Sequence, residues 1–171
     1  MPMTLTSQFL AELDRESERT RRALQLVPAG RNEWKPHEKS MAFGPLVQMV
    51  ATMPMWIAMM IDQDELDIAP PGGSSYKPTP MTTSAELLAG ADNAVATARA
   101  ALEKTTDDKL LTPWRLLAGG KVVSEAPRHV MLRDTFNHLA HHRGQMTVYL
   151  RLMGATVPAL YGPSADDKRF T

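Results

Sequence analysis

The sequence predicts an all-α protein, a four-helix bundle with long connecting loops. Apolar side chains recur at three- and four-residue spacing in four segments, and stretches rich in proline and glycine separate those segments. The chain has 171 residues, a length that fits one hydrophobic core. Residues 1–171 are therefore expected to form a single domain.

The first predicted helix runs from about Thr6 to Val27 and ends at Pro28 and Gly30. Charged residues such as Asp14 fall on its outer face. Its predicted inward stripe consists of Leu10, Leu13, Ser17, Thr20, Leu24 and Val27.

The second predicted helix runs from about Phe43 to Ile61. Pro45 suits a first helical turn, whereas Pro54 is expected to kink the helix or open a hydrogen bond. Residues 41–61 contain no charge and are long enough to cross a membrane. The prolines and the polar Gln48 favour instead a helix buried within the protein, so no membrane partner is expected.

A long loop is expected over residues 62–82, followed by a third helix. Thr83 and Glu86 form a capping box at its start. An irregular stretch is then expected over residues 106–127, which contain Trp114 and a Gly-Gly pair. The predicted inward stripe of the third helix consists of Leu88, Ala91, Val95, Ala98 and Leu102.

The fourth predicted helix runs from about Pro127 to Met153, with Gly154 in the position of a C-terminal capping glycine. Its inward stripe is predicted to carry two histidines among apolar residues. The stripe consists of Met131, Thr135, His138, His142, Tyr149 and Met153, with Gln145 and Met146 sharing the position between.

Composition limits the function classes. Nineteen basic residues balance 19 acidic ones, which does not indicate a nucleic-acid surface. The absence of cysteine excludes disulfides and thiolate catalysis and fits a reducing compartment. With no signal-peptide pattern in the first ten residues, a cytoplasmic location is expected.

His138 and His142 are four residues apart and therefore point to the same side of a helix. Two imidazoles on an apolar stripe need partners, and one divalent metal ion can satisfy both. The alternative is that each ring hydrogen-bonds to a neighbour without metal. A zinc-peptidase motif is excluded, because Leu139 stands where the glutamate base would be.

Two further residues flank the pair. His141 is predicted to point to the rim or the surface. Asp134 lies one turn before His138, where it could orient that imidazole or remain a solvated acid.

The segment His138-Leu139-Ala140-His141-His142-Arg143-Gly144-Gln145 resembles the last helix of DinB-like proteins, and Val157-Pro158 with Tyr161-Gly162-Pro163 continues the similarity. Residues 34–41 resemble the loop before that family's second helix. The resemblance implies a four-helix bundle, often a homodimer, with a metal site made by three histidines. His138 and His142 correspond to two of them.

The third histidine is replaced. Met49 stands in its position, within Leu46-Val47-Gln48-Met49-Val50-Ala51. A thioether binds zinc or nickel poorly, so the resemblance implies a zinc or nickel ion that is weakly bound or absent. Gln48 is adjacent but rotated by about 100°, and Met53 belongs to a methionine-rich helix in which methionine mostly fills the core.

Two functions remain open. One is a metal-dependent enzyme, since the resemblance implies thiol transfer to small electrophiles, with a hydrolase as the other enzymatic reading. In that case His138 and His142 bind the ion, and the pocket contains Met49, Gln48, Met53, Asp134, His141, Gln145 and Tyr149. The other is a non-catalytic bundle that has lost the metal and serves as a dimeric or small-ligand-binding protein.

Overall fold

A computed structural model describes residues 3–73 and 79–169. Within these ranges the chain forms six helices and three strands. The helices are α1 (Leu5–Leu24), α2 (Phe43–Thr52), α3 (Met55–Asp62), α4 (Ser84–Lys104), α5 (Asp107–Leu111) and α6 (Arg128–Leu152). The strands are β1 (Glu65–Asp67), β2 (Pro113–Ala118) and β3 (Lys121–Pro127).

The predicted second helix is two helices, α2 and α3, which meet at a bend of 53°. Pro54 has no N–H to donate to the preceding turn, and the chain changes direction there. The predicted kink is confirmed. α2 and α3 both pack against α4 and α6, while α1 packs against α4 and α6 as well.

The helix ends follow local capping chemistry. The side chain of Thr4 caps α1, which ends at Leu24 rather than Val27. The predicted capping box of Thr83 and Glu86 is present at the start of α4. Gly154 follows α6 with a φ of 75°, a left-handed conformation that glycine adopts without strain.

The prediction of an all-α fold is wrong between α3 and α6, where the chain forms a three-stranded sheet in the order β1-β2-β3. β1 pairs with β2 in parallel and β2 pairs with β3 antiparallel. Gly119 and Gly120 form the turn between β2 and β3, with φ values of 61° and 77°. The stretch predicted as irregular, residues 106–127, therefore contains α5 and this hairpin. The long loop predicted over residues 62–82 contains β1, and its positions 74–78 are outside the described residues.

Asp67 fastens the hairpin to β1. Its carboxylate accepts hydrogen bonds from the backbone N–H groups of Gly119 at 3.0 Å and Gly120 at 2.7 Å. It also accepts one from Ala69 at 2.9 Å. The hydrogen bond from Ala69 lowers the pKa of Asp67, and those from the two glycines lower it further against partial desolvation.

The core consists of two clusters. The first cluster joins the N-terminal half of α1, α3, the end of α4 and the start of α6, and Trp114 of β2 is buried in it. The second cluster joins the end of α1, α2, the start of α4 and the C-terminal half of α6. Trp56 packs against both clusters, so it marks the level of α6 at which they meet.

Candidate functional site

The two histidines of α6 meet at their ring edges. The Nε2 atoms of His138 and His142 are 2.8 Å apart, and the ring centroids are separated by 4.6 Å. Because both atoms are ring nitrogens, one of them carries the hydrogen and donates the hydrogen bond, and the other accepts it. The predicted convergence of the two imidazoles is therefore present in the structure.

Gln145 determines which nitrogen of His142 is protonated. Its side-chain oxygen lies 2.7 Å from Nδ1 of His142. An amide oxygen only accepts, so Nδ1 of His142 donates to Gln145 and its Nε2 is left as the acceptor. His138 then donates from Nε2, which gives a chain of hydrogen bonds from His138 through His142 to Gln145.

The predicted inward stripe of the last helix is confirmed at Met131, Thr135 and Met146, which are buried, but not at the two histidines. The buried residues of α6 include Leu139, Met146 and Leu150, whereas His138 is exposed and His142 is half-buried. The centre of the buried face is rotated by about 100° from His138 and about 60° from His142. The histidine pair consequently lies at the edge of the bundle rather than in its interior.

Buried Arg143 moves the centre of the core face away from the histidines, and the sequence did not indicate it because an arginine is rarely buried in a core. Its guanidinium is fully buried and pairs with the carboxylate of Glu16 on α1. It also donates to the hydroxyl of Thr20 at 2.8 Å. The hydroxyl of Tyr161 donates to Glu16 at 2.9 Å, so the C-terminal segment completes this buried network.

His138 also contacts a residue that the sequence did not single out. Its ring centroid lies 5.4 Å from that of Trp56 on α3. Desolvation lowers the pKa of His138, and the nearby charges of His142 and His141 lower it further. The sequence offered no direct signal for this contact, because Trp56 lies beyond the break at Pro54.

The predicted pocket residues of the second helix have different roles. Met49 is half-buried against the second cluster, and Met53 is fully buried within it. Gln48 is occupied elsewhere. Its side-chain nitrogen donates to the carbonyl of Thr79 at 2.9 Å, and its side-chain oxygen accepts from the N–H of Met81 at 3.0 Å.

The remaining predicted residues lie along α6. Tyr149 stacks edge-on to Trp34 at 5.4 Å and donates to the carbonyl of Met41 at 3.3 Å, so it closes the bundle next to the start of α2. His141 is exposed and meets His142 edge-on at 5.1 Å. Asp134 is exposed, and its carboxylate has no hydrogen bond or ion pair with another described residue, which agrees with a solvated acid.

The residues present do not fit a three-histidine metal centre. Two imidazoles bound to one tetrahedral zinc ion place their nitrogens about 3.3 Å apart, close to the spacing of His138 and His142. Among residues 3–73 and 79–169, however, no group of three histidine, aspartate or glutamate side chains is arranged to hold an ion. A pair of ligands is present, and a third ionisable ligand is not.

The long helices, the sheet inserted before the last helix and the histidine pair define a DinB-like helical protein. The chain belongs to the DinB family, whose sequence model matches residues 1–169. The resemblance stated from the last helix is thereby confirmed.

Three relatives show the extent of the similarity. A DinB-like protein of Bacillus subtilis (YjoA) superposes with a TM-score of 0.68 at 21% identity, covering 95% of this chain and 99% of that one. A DinB-like protein of Bacillus cereus ATCC 10987 gives 0.70 at 22% identity, with 94% and 100% covered. The uncharacterized protein YrdA of Bacillus subtilis (strain 168) is 33% identical over 90 residues, covering 52% of this chain. The chain spans about half of the length of YrdA, 51%.

No single helix within the described part of the chain is long and apolar enough to cross a membrane. α2 and α3 reach the length and hydropathy of a membrane-spanning segment only when the two helices are taken together.

Proposed function

We propose that this chain is a DinB-family protein with a weakened divalent-metal site, in which His138 and His142 bind one zinc or nickel ion. The observation that carries the proposal is the 2.8 Å approach of the two Nε2 atoms. Gln145 supports it, since metal-binding histidines commonly donate their second ring N–H to an oxygen acceptor. Neutral imidazole is also favoured by the lowered pKa of His138.

The site is weak because it lacks a third imidazole. Met49 is the residue on α2 that replaces it, and a thioether is a poor ligand for zinc and nickel. The pair also lies at an exposed edge, where water competes for the ion. Loss of a ligand costs at least the roughly 10–100-fold in affinity that loss of a supporting residue costs.

The enzymatic form of this proposal is a metal-dependent transferase that joins a thiol to a small electrophile, and a hydrolase is its second form. Family membership and the resemblance support it. The open, exposed position of the pair fits a small substrate approaching from solvent. A metal-dependent activity would fall with metal affinity in variants of His138 and His142.

A non-catalytic bundle is the second candidate function, and one observation favours it. The chain of hydrogen bonds from His138 to His142 to Gln145 satisfies the facing nitrogens without any ion. In this case the histidines at the edge of α6 either bind a small polar ligand or have a purely structural role.

Metal titration of protein purified without a histidine tag tests the proposal. Isothermal titration with zinc and with nickel is expected to show one weak site, which disappears in His142→Ala. His37→Ala is the matched control, because His37 lies in an exposed loop before α2 and its variant should bind like the parent. Equal binding by all three proteins, or none by the parent, would leave the non-catalytic bundle as the better account.

A further inference from the structure

The ring of His138 is held differently from the ring of His142. His142 has an acceptor of its own, since the side-chain oxygen of Gln145 lies 2.7 Å from its Nδ1. The only hydrogen bond of the His138 ring to another described residue joins its Nε2 to His142. A second hydrogen bond, of the kind that orients most metal-binding histidines, is therefore missing from this exposed ring.

Trp56 takes the place of that second partner. Its ring centroid lies 5.4 Å from that of His138, and the two ring planes are tilted by 59°. Aromatic pairs at this separation prefer tilted, edge-to-face arrangements, so each ring restricts the orientation of the other. In the described part of the chain, His142 is the one other ring that contacts His138.

The indole can act as a fixed wall because Trp56 is itself anchored. It lies in the first turn of α3, directly after the bend of 53° at Pro54. Its side chain is half-buried and packs against both core clusters. Close packing restricts the rotamers of a side chain, so the indole keeps one orientation toward α6.

We infer that Trp56 is a positioning residue, which fixes the ring of His138 and thereby sets the separation of the two imidazoles. The inference rests on the proposed function, because it assigns Trp56 a role at that same histidine pair. An exposed side chain on a helix otherwise exchanges between rotamers within nanoseconds. A ring that is already held loses less conformational entropy when a ligand binds. The site thus depends on α3 as well as on α6.

Zinc titration of Trp56 variants tests the consequence for binding. Trp56→Met keeps an apolar side chain but removes the ring, and it should weaken zinc binding at least about tenfold. Trp56→Phe retains an aromatic ring beside His138 and should stay within about threefold of the parent. Trp34→Met is the matched control, because Trp34 makes a ring contact of the same 5.4 Å with Tyr149 on α6 and touches neither histidine. Its zinc affinity should equal that of the parent.

Nuclear magnetic resonance of the histidine rings in metal-free protein supplies a readout that does not depend on the metal. In the parent, the order parameter of the His138 ring is expected to exceed that of His141, which is also exposed on α6 but contacts His142 and not Trp56. Trp56→Met should lower the His138 order parameter and remove the ring-current shift of its protons, whereas Trp34→Met should change neither. The comparison within the parent needs no variant, so it decides the inference even if Trp56→Met does not fold.

The inference and the proposed metal site fail separately. A parent that binds no zinc contradicts the metal site, and the ring measurements then decide the inference alone. A His138 ring that is as mobile as the His141 ring in the parent overturns the inference. Trp56→Met with the zinc affinity and the His138 ring signals of the parent also overturns it, since the imidazoles would then keep their separation without the indole.

Discussion

In the proposed metal site, position 49 is the residue expected to limit metal affinity most. Met49 is half-buried and packs against the second cluster, to which α1, α2, α4 and α6 all contribute. The resemblance places Met49 where the family has a histidine, and the family model matches residues 1–169.

Met49→His is expected to raise zinc affinity by at least about tenfold, because a third imidazole would join His138 and His142. Isothermal titration of the variant and the parent measures the gain. Met59→His is the control, since Met59 is also a half-buried methionine but packs against the first cluster. An unchanged affinity for Met49→His would mean that position 49 does not face the histidine pair.

Gln145 acts on the site through the tautomer of His142. The 2.7 Å contact predicts that the neutral ring carries its proton on Nδ1. Gln145→Leu removes the acceptor, so the ring should become a mixture of both tautomers and bind zinc about 10–100-fold less tightly. Nitrogen-15 chemical shifts of His142 report the tautomer directly in metal-free protein.

Asn137→Leu is the companion variant for this measurement, because it removes another exposed amide from α6 without touching His142. Both shifts and affinity should stay at the parent values. A parent protein whose His142 is protonated on Nε2 would contradict the assigned hydrogen-bond chain, whatever its metal affinity.

At the scale of the elements, spacing predicted the helices and their caps better than it predicted which side of α6 is buried. The i, i+4 rule placed His138 and His142 together correctly, since it depends only on helix geometry. Which side of α6 faces the core depends on the burial of Arg143. That burial requires the counter-charge of Glu16, which lies more than a hundred positions earlier, and the sequence alone did not indicate this pairing. The hairpin did carry a signal, because β-prone residues flank Gly119-Gly120 on both sides.

The ion pair between Glu16 and Arg143 joins α1 to α6. The Glu16 side chain is 8% exposed. Burial alone would raise the pKa of Glu16, but the hydrogen bond and the charge of Arg143, with hydrogen bonds from Tyr161 and Arg19, lower it on balance. The ionised form is therefore the one that stabilises the fold.

Glu16→Gln should lower the free energy of unfolding by about 3–5 kcal/mol near neutral pH, because it leaves the buried guanidinium without a counter-charge. Because the pKa of Glu16 is lower in the folded chain than in the unfolded chain, the ionised carboxylate stabilises the fold fully above its unfolded pKa. This stabilisation is lost as the pH falls through its folded pKa. The gap between variant and parent should thus narrow below about pH 4.5. Urea unfolding at several pH values measures it.

Glu103→Gln provides the contrast, since Glu103 is 56% exposed and its pair with Arg99 spans 3.9 Å. Glu103→Gln should lower the free energy of unfolding by no more than about 1 kcal/mol at every pH. A Glu16→Gln variant with an equally small, pH-independent cost would show that the buried pair does not stabilise the junction of α1 and α6.

At the scale of the whole molecule, the sheet and the bundle meet at Arg128, the first residue of α6. Its guanidinium is 1% exposed. It donates to the carbonyls of Met60 at 2.8 Å and Gln63 at 3.1 Å, which cap the end of α3, and to the carbonyl of Pro113 at 2.6 Å. It also pairs with Asp64, just before β1. Such long-range partners explain why local patterns placed the elements but not the sheet.

Arg128→Met should lower the free energy of unfolding by about 1–3 kcal/mol, since it leaves the buried carbonyl of Met60 without its side-chain donor and removes the donors to Gln63 and Pro113. Amide hydrogen exchange should also speed up in β1 and β2 more than in the second cluster, because Arg128 is the residue that ties the sheet to α3. Arg133→Met is the control: Arg133 is 45% exposed and pairs with Glu12, so its removal should cost about 0–1 kcal/mol. If both variants lose the same stability and exchange uniformly, the sheet is held to the bundle by its apolar contacts, chiefly those of Trp114, and not by the Arg128 guanidinium.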